Sequence, residues 1–293
     1  MMRAPAARGG AVAVLFIVIA GLLLFLLVDI AKERVAASLR FQVSADRVTV
    51  QGDPGPLGGD FSRLIRDSVI LDRTRSIFDP ELPAVVRANL ERHSWVRRVK
   101  EVDRRFPNAL AVSIELRRPL GVVRVAAVAS ERLAVDGEGV VVEEDTKLGP
   151  PEIPWITTPG AELAYVPMPG NRFAAGCAVQ EAIGVLEELR RVGGHPALDN
   201  LRVDEVRVGW TGKERKAGDS DIRLVFDTGV EVLWGRSPRS AAGVTEIPAK
   251  IKLDHLSRVQ RQYPGLVSVK LVDLRFDRPE VQQVAPRERP GGG

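Results

Sequence analysis

The stretch Ser76–Pro119, SIFDPELPAVVRANLERHSWVRRVKEVDRRFPNALAVSIELRRP, switches partway along from helical to strand periodicity. Its first half predicts a helix from about Asp79 to His93. Asp79 stands at an N-cap position, Pro80 at the first helical position, and Leu82, Val86 and Leu90 fall on one face. The second half predicts two strands, Trp95–Arg105 and Ala109–Arg117, around a turn at Phe106-Pro107-Asn108. One detail breaks the alternation: Val99 and Val102 lie three apart. An extra residue in a strand makes a β-bulge, expected near Lys100-Glu101. Upstream, 41–50 (FQVSADRVTV) is β-rich and ends in the turn Gln51-Gly52-Asp53-Pro54-Gly55. Phe61, Leu64, Ile65 and Val69 then mark a helix over Phe61–Leu71. The order is β-α-α-β-β.

Before this unit the sequence is apolar. Ala11–Val28, AVAVLFIVIAGLLLFLLV, is eighteen residues without a charge, and Ile30 and Ala31 extend it past Asp29. At ~1.5 Å per residue the run covers about 27 Å, near the ~30 Å of a bilayer core. We read residues 11–31 as one transmembrane helix in contact with membrane lipid, following a short tail of residues 1–10. A cleavable signal peptide is the rival; its apolar region is usually about 7–15 residues, and only Val35-Ala36-Ala37 offers a weak cleavage site. Arg3 and Arg8 before the helix balance Lys32, Arg34 and Arg40 after it, so the positive-inside rule does not orient it.

Beyond Pro119 the chain is β-rich. Gly121–Val128, Arg132–Val135 and Val140–Glu143 read as short strands, with a turn at Asp136-Gly137-Glu138-Gly139. Residues 144–176 read as an irregular connection. Val179, Ile183, Leu186 and Leu189 mark a helix ending before Gly193-Gly194. Strands follow at Leu201–Val208, Ile222–Phe226 and Val230–Trp234, with Thr211–Ser220 an exposed loop. A helix over Val244–Gln262 turns Ile247, Ile251, Leu256 and Val259 inward, and Pro264-Gly265 stops it. Two last strands, Val267–Phe276 and Val281–Val284, precede Ala285–Gly293, read as disordered. The fold class is α+β: a membrane helix, the β-α-α-β-β unit at 41–119, and a mixed α/β domain dominated by antiparallel sheet at 120–284.

Composition agrees. At roughly 150 residues per domain, 293 residues allow about two domains. One cysteine excludes an intramolecular disulfide framework and a multi-thiolate zinc site, and three histidines leave little for a histidine-rich one. A net charge of +4 is too weak alone to indicate nucleic acid.

Several motifs resemble chemistry. Phe226-Asp227-Thr228-Gly229 has the Asp-Thr-Gly of retropepsin-type aspartic proteases, which pair two carboxylates across a dyad. A hairpin in which Gly229 supplies the left-handed residue explains the same letters and both flanks. Arg97, Arg98, Lys100, Arg104 and Arg105 form a basic cluster, but Glu101 and Asp103 dilute it and only Trp95 and Phe106 flank it. It reads as a solvated strand face, or as one facing anionic headgroups or an acidic partner. Gly209-Trp210-Thr211-Gly212-Lys213 fails as a phosphate loop, with Arg207 at the first glycine and Glu214 where Ser or Thr is needed. His93, His195 and His255 lack ligand spacing, and Cys177 has no base partner. No catalytic, cofactor or metal constellation stands, so the chain reads as a non-enzymatic interaction protein.

Two stretches resemble the bacterial cell-division FtsQ/DivIB family. The first is Ser76-Ile77-Phe78-Asp79 through Leu90, Trp95-Val96, Arg104–Leu110 and Glu115-Leu116-Arg117-Arg118-Pro119. The second is Ile222–Arg236 and Val272-Asp273-Leu274-Arg275-Phe276. Leu133–Gly139 and Ile153-Pro154-Trp155-Ile156 resemble family turns between them. Ser94 departs from the proline usual before Trp95, and Asp277-Arg278-Pro279 from a more Gly-rich hairpin. The resemblance implies a membrane anchor, a POTRA domain over 41–119, a β domain over 120–284 and a divisome scaffold in the inner membrane, its bulk extracytoplasmic at the division site. It implies binding of FtsB/FtsL-like proteins by β-augmentation through Leu274, Arg275, Phe276, Val281, Gln282, Gln283 and Val284. Another POTRA-bearing envelope assembly or secretion protein is the alternative, and a protease using Asp227 a further one.

Overall fold

The computed structural model describes residues 7–53, 61–68, 75–124, 132–142, 153–158, 165–209, 222–239 and 246–284, with only the backbone of 7–15 and of 64. The expected loop 211–220, the tail 285–293 and most of the tail 1–10 lie outside these residues.

The apolar run forms α1 (Ala7–Ala37), 31 residues long. Large side chains from Phe16 to Ile30 are exposed on all sides of it. From Phe16 the uncharged stretch ends at Val28, with Asp29, Lys32 and Glu33 close behind. Among the described residues no helix is long and apolar enough to cross a membrane. The structure thus gives a helix over 11–31; residues 11–15, where the predicted span begins, lack described side chains.

The chain divides into two compact units, to Leu116 and from Arg117. In the first, β1 (Gln42–Val43), β2 (Val48–Gln51), α2 (Phe61–Asp67), β3 (Arg75–Ser76), α3 (Leu82–Glu91), β4 (Val96–Arg105) and β5 (Ala109–Leu116) follow α1. β2 lies parallel and β4 antiparallel to the central β5, while β1 pairs with β3. Val48 and Val50 from β2, Phe61 and Ile65 from α2, Leu82, Val86 and Leu90 from α3, and Leu110, Val112 and Ile114 from β5 are all buried. The single strand expected over 41–50 is broken at Ser44. Its hydroxyl donates to the Asp46 carboxylate and its carbonyl accepts the Arg47 N–H at 3.0 Å, a local turn that competes with the ladder. The third helix starts at Leu82, later than expected, because Asp79 caps a preceding turn instead. Its carboxylate accepts the Glu81 N–H at 2.9 Å and its carbonyl the Leu82 N–H at 3.3 Å.

β4 carries the bulge. Val99 pairs with Ile114 and Glu101 with Ser113, so Lys100 has no partner; a second slip lies between Val96 and Arg98. The slip before Arg98 brings Val96 and Val99, three apart in sequence, to the same buried face, and the slip at Lys100 does the same for Val99 and the half-buried Val102.

The second unit contains β6 (Pro119–Arg124), β7 (Arg132–Asp136), β8 (Val141–Val142), β9 (Trp155–Thr157), α4 (Ala178–Arg191), β10 (Val203–Val208), β11 (Ile222–Phe226), β12 (Glu231–Gly235), α5 (Ala249–Gln262), β13 (Val269–Asp273) and β14 (Glu280–Gln283). They form one sheet in the order β14-β13-β12-β11-β10-β9-β6-β7-β8. The pairs β6–β9, β9–β10 and β12–β13 are parallel and the others antiparallel. The β9–β10 and β12–β13 connections cross through α4 and α5, as parallel neighbours require. Val179, Ile183, Val185 and Leu186 of α4 and Leu253, Leu256 and Val259 of α5 pack with Val123, Ile156, Val206, Leu224, Val232, Trp234 and Val272 in one core.

The inward face of α5 differs from the expected one. Ile251 is exposed and Ile247 precedes the helix, whereas Lys252 is buried. Its ammonium donates to the Trp234 carbonyl at 2.5 Å and to Glu246 at 2.9 Å. A paired lysine therefore occupies a core position that periodicity assigns to an apolar residue.

Candidate functional site

The sheet ends in β13 and β14. β13 is a core strand: Val269 and Val272 are buried. Leu274, one residue past its end, is also fully buried, and its N–H donates to the Leu233 carbonyl at 3.1 Å. The sequence reading puts Leu274 on the partner surface; the structure puts its side chain in the core, where it holds the platform for the residues that follow.

The turn after Leu274 is built by Asp273. Its buried carboxylate accepts the Arg275 backbone N–H at 3.0 Å. It also accepts Nε of the same residue at 2.9 Å and Nη2 at 2.6 Å. The side-chain bonds to Asp273, helped by its charge, raise the Arg275 pKa above its ordinary value against the opposing effect of desolvation. The guanidinium lies 5.3 Å from the centre of the Phe276 ring, within cation–π range. Phe276 is 54% exposed. Arg275 is thus spent on geometry, and the ring beside it faces solvent.

β14 returns antiparallel, with Glu280 opposite Asp273, Val281 opposite Val272, Gln282 opposite Leu271 and Gln283 opposite Val269. Val281 is half-buried against the core, while Gln282, Gln283 and Val284 are exposed. The far end is fastened twice: the Val284 N–H donates to the Ser268 carbonyl at 3.0 Å, and Gln283 Nε2 to the Tyr263 hydroxyl at 2.9 Å. Main-chain groups alternate along an antiparallel pair. With Val284 facing inward, Val281 and Gln283 turn their N–H and C=O away from β13. Among the described residues no strand pairs with that outer side. Six of the seven residues named from sequence therefore share one exposed turn and edge. Tyr263 and Asp273, which fix the edge and the turn, were not named; they act through hydrogen bonds that periodicity does not reveal.

The other candidates sit elsewhere. Asp227 lies in a three-residue hairpin loop in which Gly229 has φ of 80° and its N–H reaches the Phe226 carbonyl at 2.8 Å. The Asp227 carboxylate accepts the Arg202 N–H at 3.3 Å. Arg97 and Arg98 of the basic strand each reach Glu115 at 2.8 Å, and these hydrogen bonds hold its carboxyl below the usual range. On β10, burial pushes Glu205 up, but hydrogen bonds from Arg207 and Thr157 outweigh it and the net shift is downward. His93 and His195 accept backbone N–H groups two residues on, both at 3.2 Å, and Cys177 is the N-cap of α4. Among the described residues no group of His, Cys, Asp and Glu could hold a metal ion. Most of the segment 209–213 lies outside the described residues.

Comparison with known proteins adds two findings. The family profile described as cell division protein FtsQ/DivIB, C-terminal, matches residues 124–275. The match runs from the last residue of β6 through β13 to Arg275; β14 lies beyond it. A protein of Myxococcus fulvus named cell division protein FtsQ is similar at 28% identity over 213 residues, covering 69% of this chain and 66% of that protein. The chain spans just under two thirds of that relative's length.

Proposed function

The chain belongs to the FtsQ/DivIB family of cell-division proteins, and from that premise we propose that it is a non-enzymatic divisome scaffold of the inner membrane, acting at the division site. Residues 11–31 serve as its single membrane anchor, an assignment supported by the eighteen uncharged residues 11–28 and by the apolar side chains α1 exposes on all sides. Residues 41–119 act as a POTRA domain, supported by the order of β2, α2, α3, β4 and β5. Residues 120–284 act as the partner-binding β domain, outside the cytoplasm.

The observation that carries the reading is the outer side of β14, with which no strand pairs among the described residues. An FtsB/FtsL-like partner adds a strand there, bonding to the outward groups of Val281 and Gln283. The ring of Phe276 and the side chains of Gln282 and Val284 give selectivity, with Arg275 holding the turn.

The test is co-purification of the full membrane-bound chain with the FtsB-like protein of the same organism. Phe276→Glu is expected to abolish capture, and so is a chain ending at Pro279. Both leave Val269, Val272 and Leu274 in place; removal of everything from Val267 would take out these buried residues and would test folding instead. Undiminished capture by both variants, with a native circular dichroism spectrum, refutes the reading.

A further inference from the structure

In the first unit three phenylalanines meet at the surface. The ring centres of Phe41 and Phe78 are 5.2 Å apart, of Phe41 and Phe106 5.4 Å, and of Phe78 and Phe106 6.3 Å. Packed aromatics usually belong to a core, yet Phe78 is 48% and Phe106 69% exposed, and the adjoining Leu39 is 86% exposed. An apolar cluster this open marks an interaction surface.

Its position in the chain limits what it can meet. Leu39–Phe41 forms a short turn two residues after α1 ends at Ala37. That turn is fastened to the helix: the Gln42 side-chain amide donates to the Ala36 carbonyl at 2.9 Å, and the Ser38 N–H to Val35 at 3.1 Å. It is fastened equally to the Phe78 segment, through the β1–β3 pair and the Ile77 N–H on the Phe41 carbonyl at 2.8 Å. Ala37 lies six helical residues past Ala31, about 9 Å along the axis. The headgroup layer is roughly 5–8 Å deep on each side of a bilayer. A tilt of about 35°, within the range of membrane helices, lowers that rise to about 7 Å and brings the turn after Ala37 to the layer.

Charge agrees. Arg40 precedes Phe41, Arg105 precedes Phe106, and Arg104 donates to the carbonyl of Asp79, next to Phe78, at 2.6 Å. Aromatic rings with arginines at their rim suit an interface of apolar chains under anionic headgroups.

We propose that the Phe41–Phe78–Phe106 tip, with Leu39, inserts into the anionic membrane surface beside the anchor and fixes the first unit against the bilayer. This rests on residues 11–31 being the anchor, and the two claims separate in experiment. The full chain carrying Cys177→Ser and Asn108→Cys is labelled with bimane and reconstituted into phosphatidylcholine vesicles with and without about a third phosphatidylglycerol. The same is done with Gln51→Cys. Gln51 pairs with Ser113, four residues along β5 from Ala109, hence about 13 Å from the tip. Quenching by a phospholipid with a nitroxide high on its acyl chain should be at least threefold stronger at residue 108 than at residue 51. It should be weaker without phosphatidylglycerol. Phe78→Ser with Phe106→Ser should reduce it to the level of residue 51, and Phe78→Leu with Phe106→Leu should retain it. Equal quenching at both positions, in a chain that resists carbonate extraction, overturns the tip alone and leaves the cluster to a protein partner. Extraction of the wild-type chain by carbonate overturns the anchor instead.

Discussion

Among the described residues, the edge strands β4 and β14 each leave one side without a strand neighbour, and they present it differently. β4, at the edge of the three-stranded sheet, is ten residues long, slips register twice and carries Arg97, Arg98, Lys100, Arg104 and Arg105. One of its N–H groups is already taken, since Val99 donates to Glu91 at 3.2 Å. β14, at the edge of the nine-stranded sheet, is four residues long, with the irregularity placed in its neighbour β13 and only Glu280 charged. Bulges, lysines and arginines are how soluble proteins stop a foreign strand from pairing. β4 has these defences; β14 has no bulge of its own and no basic side chain, and only its short length and the preceding Pro279 guard it. The far edge of the same large sheet is closed in a third way: the Val141 N–H of β8 donates to Asn171 at 2.9 Å, and its carbonyl accepts Gly170 at 2.8 Å. The contrast is why the proposed binding edge is β14 and not β4.

The largest expected effect breaks the contrast at β14. Proline at position 281 removes an outward N–H that the sheet itself does not use. Capture of the FtsB-like partner should weaken more than tenfold in Val281→Pro, measured by surface-immobilised binding of the detergent-solubilised chain. Val281→Ala, which loses only packing, should stay within about threefold. Equal losses in the two would move the interface from the main chain to the side chain.

A second prediction makes β4 resemble β14. Deleting Lys100 leaves Val99 and Val102 two apart, so both keep the inward face while one bulge disappears. Stability should change by no more than about 1 kcal/mol. Self-association, read by sedimentation, should rise severalfold at equal concentration. A deletion variant as monomeric as the parent would mean that charge alone protects the edge.

The sequence made much of this legible. Val99 and Val102 announced a slip because alternation is a property of the chain itself. The β14 edge followed from Val281–Val284 lying at the end of a β-rich run. Leu274 was harder, since an apolar residue between Asp273 and Arg275 reads equally as core or as contact until the partner of its N–H is known. Lys252 was illegible for a related reason: only Glu246 and the Trp234 carbonyl, brought together by the fold, make its burial tolerable. The break at Ser44 lay in side-chain hydrogen bonds, which leave no trace in a hydrophobic pattern.

The third prediction sharpens what defends β4. Glu91→Ala removes the acceptor of the Val99 N–H, a bond worth about 1 kcal/mol. Amide hydrogen exchange in β4 and β5 should speed up by about fivefold, while β13 and β14 stay unchanged. Equal acceleration in both sheets would show the effect to be global rather than local to the bulge.

The smallest effect is electrostatic. Hydrogen bonds from Arg97 and Arg98 lower the Glu115 pKa in the folded chain. For a carboxyl lowered in this way, the stabilisation is complete above the unfolded pKa of about 4.3 and is lost as pH falls through the folded value. The first unit should therefore weaken only below about pH 4.5. Because both arginines are largely exposed, the amount is under about 1 kcal/mol. Glu115→Gln should flatten that acid limb in urea unfolding monitored at β4 and β5 amides, and raise self-association slightly by loosening Arg97 and Arg98. Partner capture at neutral pH should not change, because Glu115 supports the protected edge and contributes nothing to β14. A loss of capture in Glu115→Gln would join the two edges functionally and end the distinction between them.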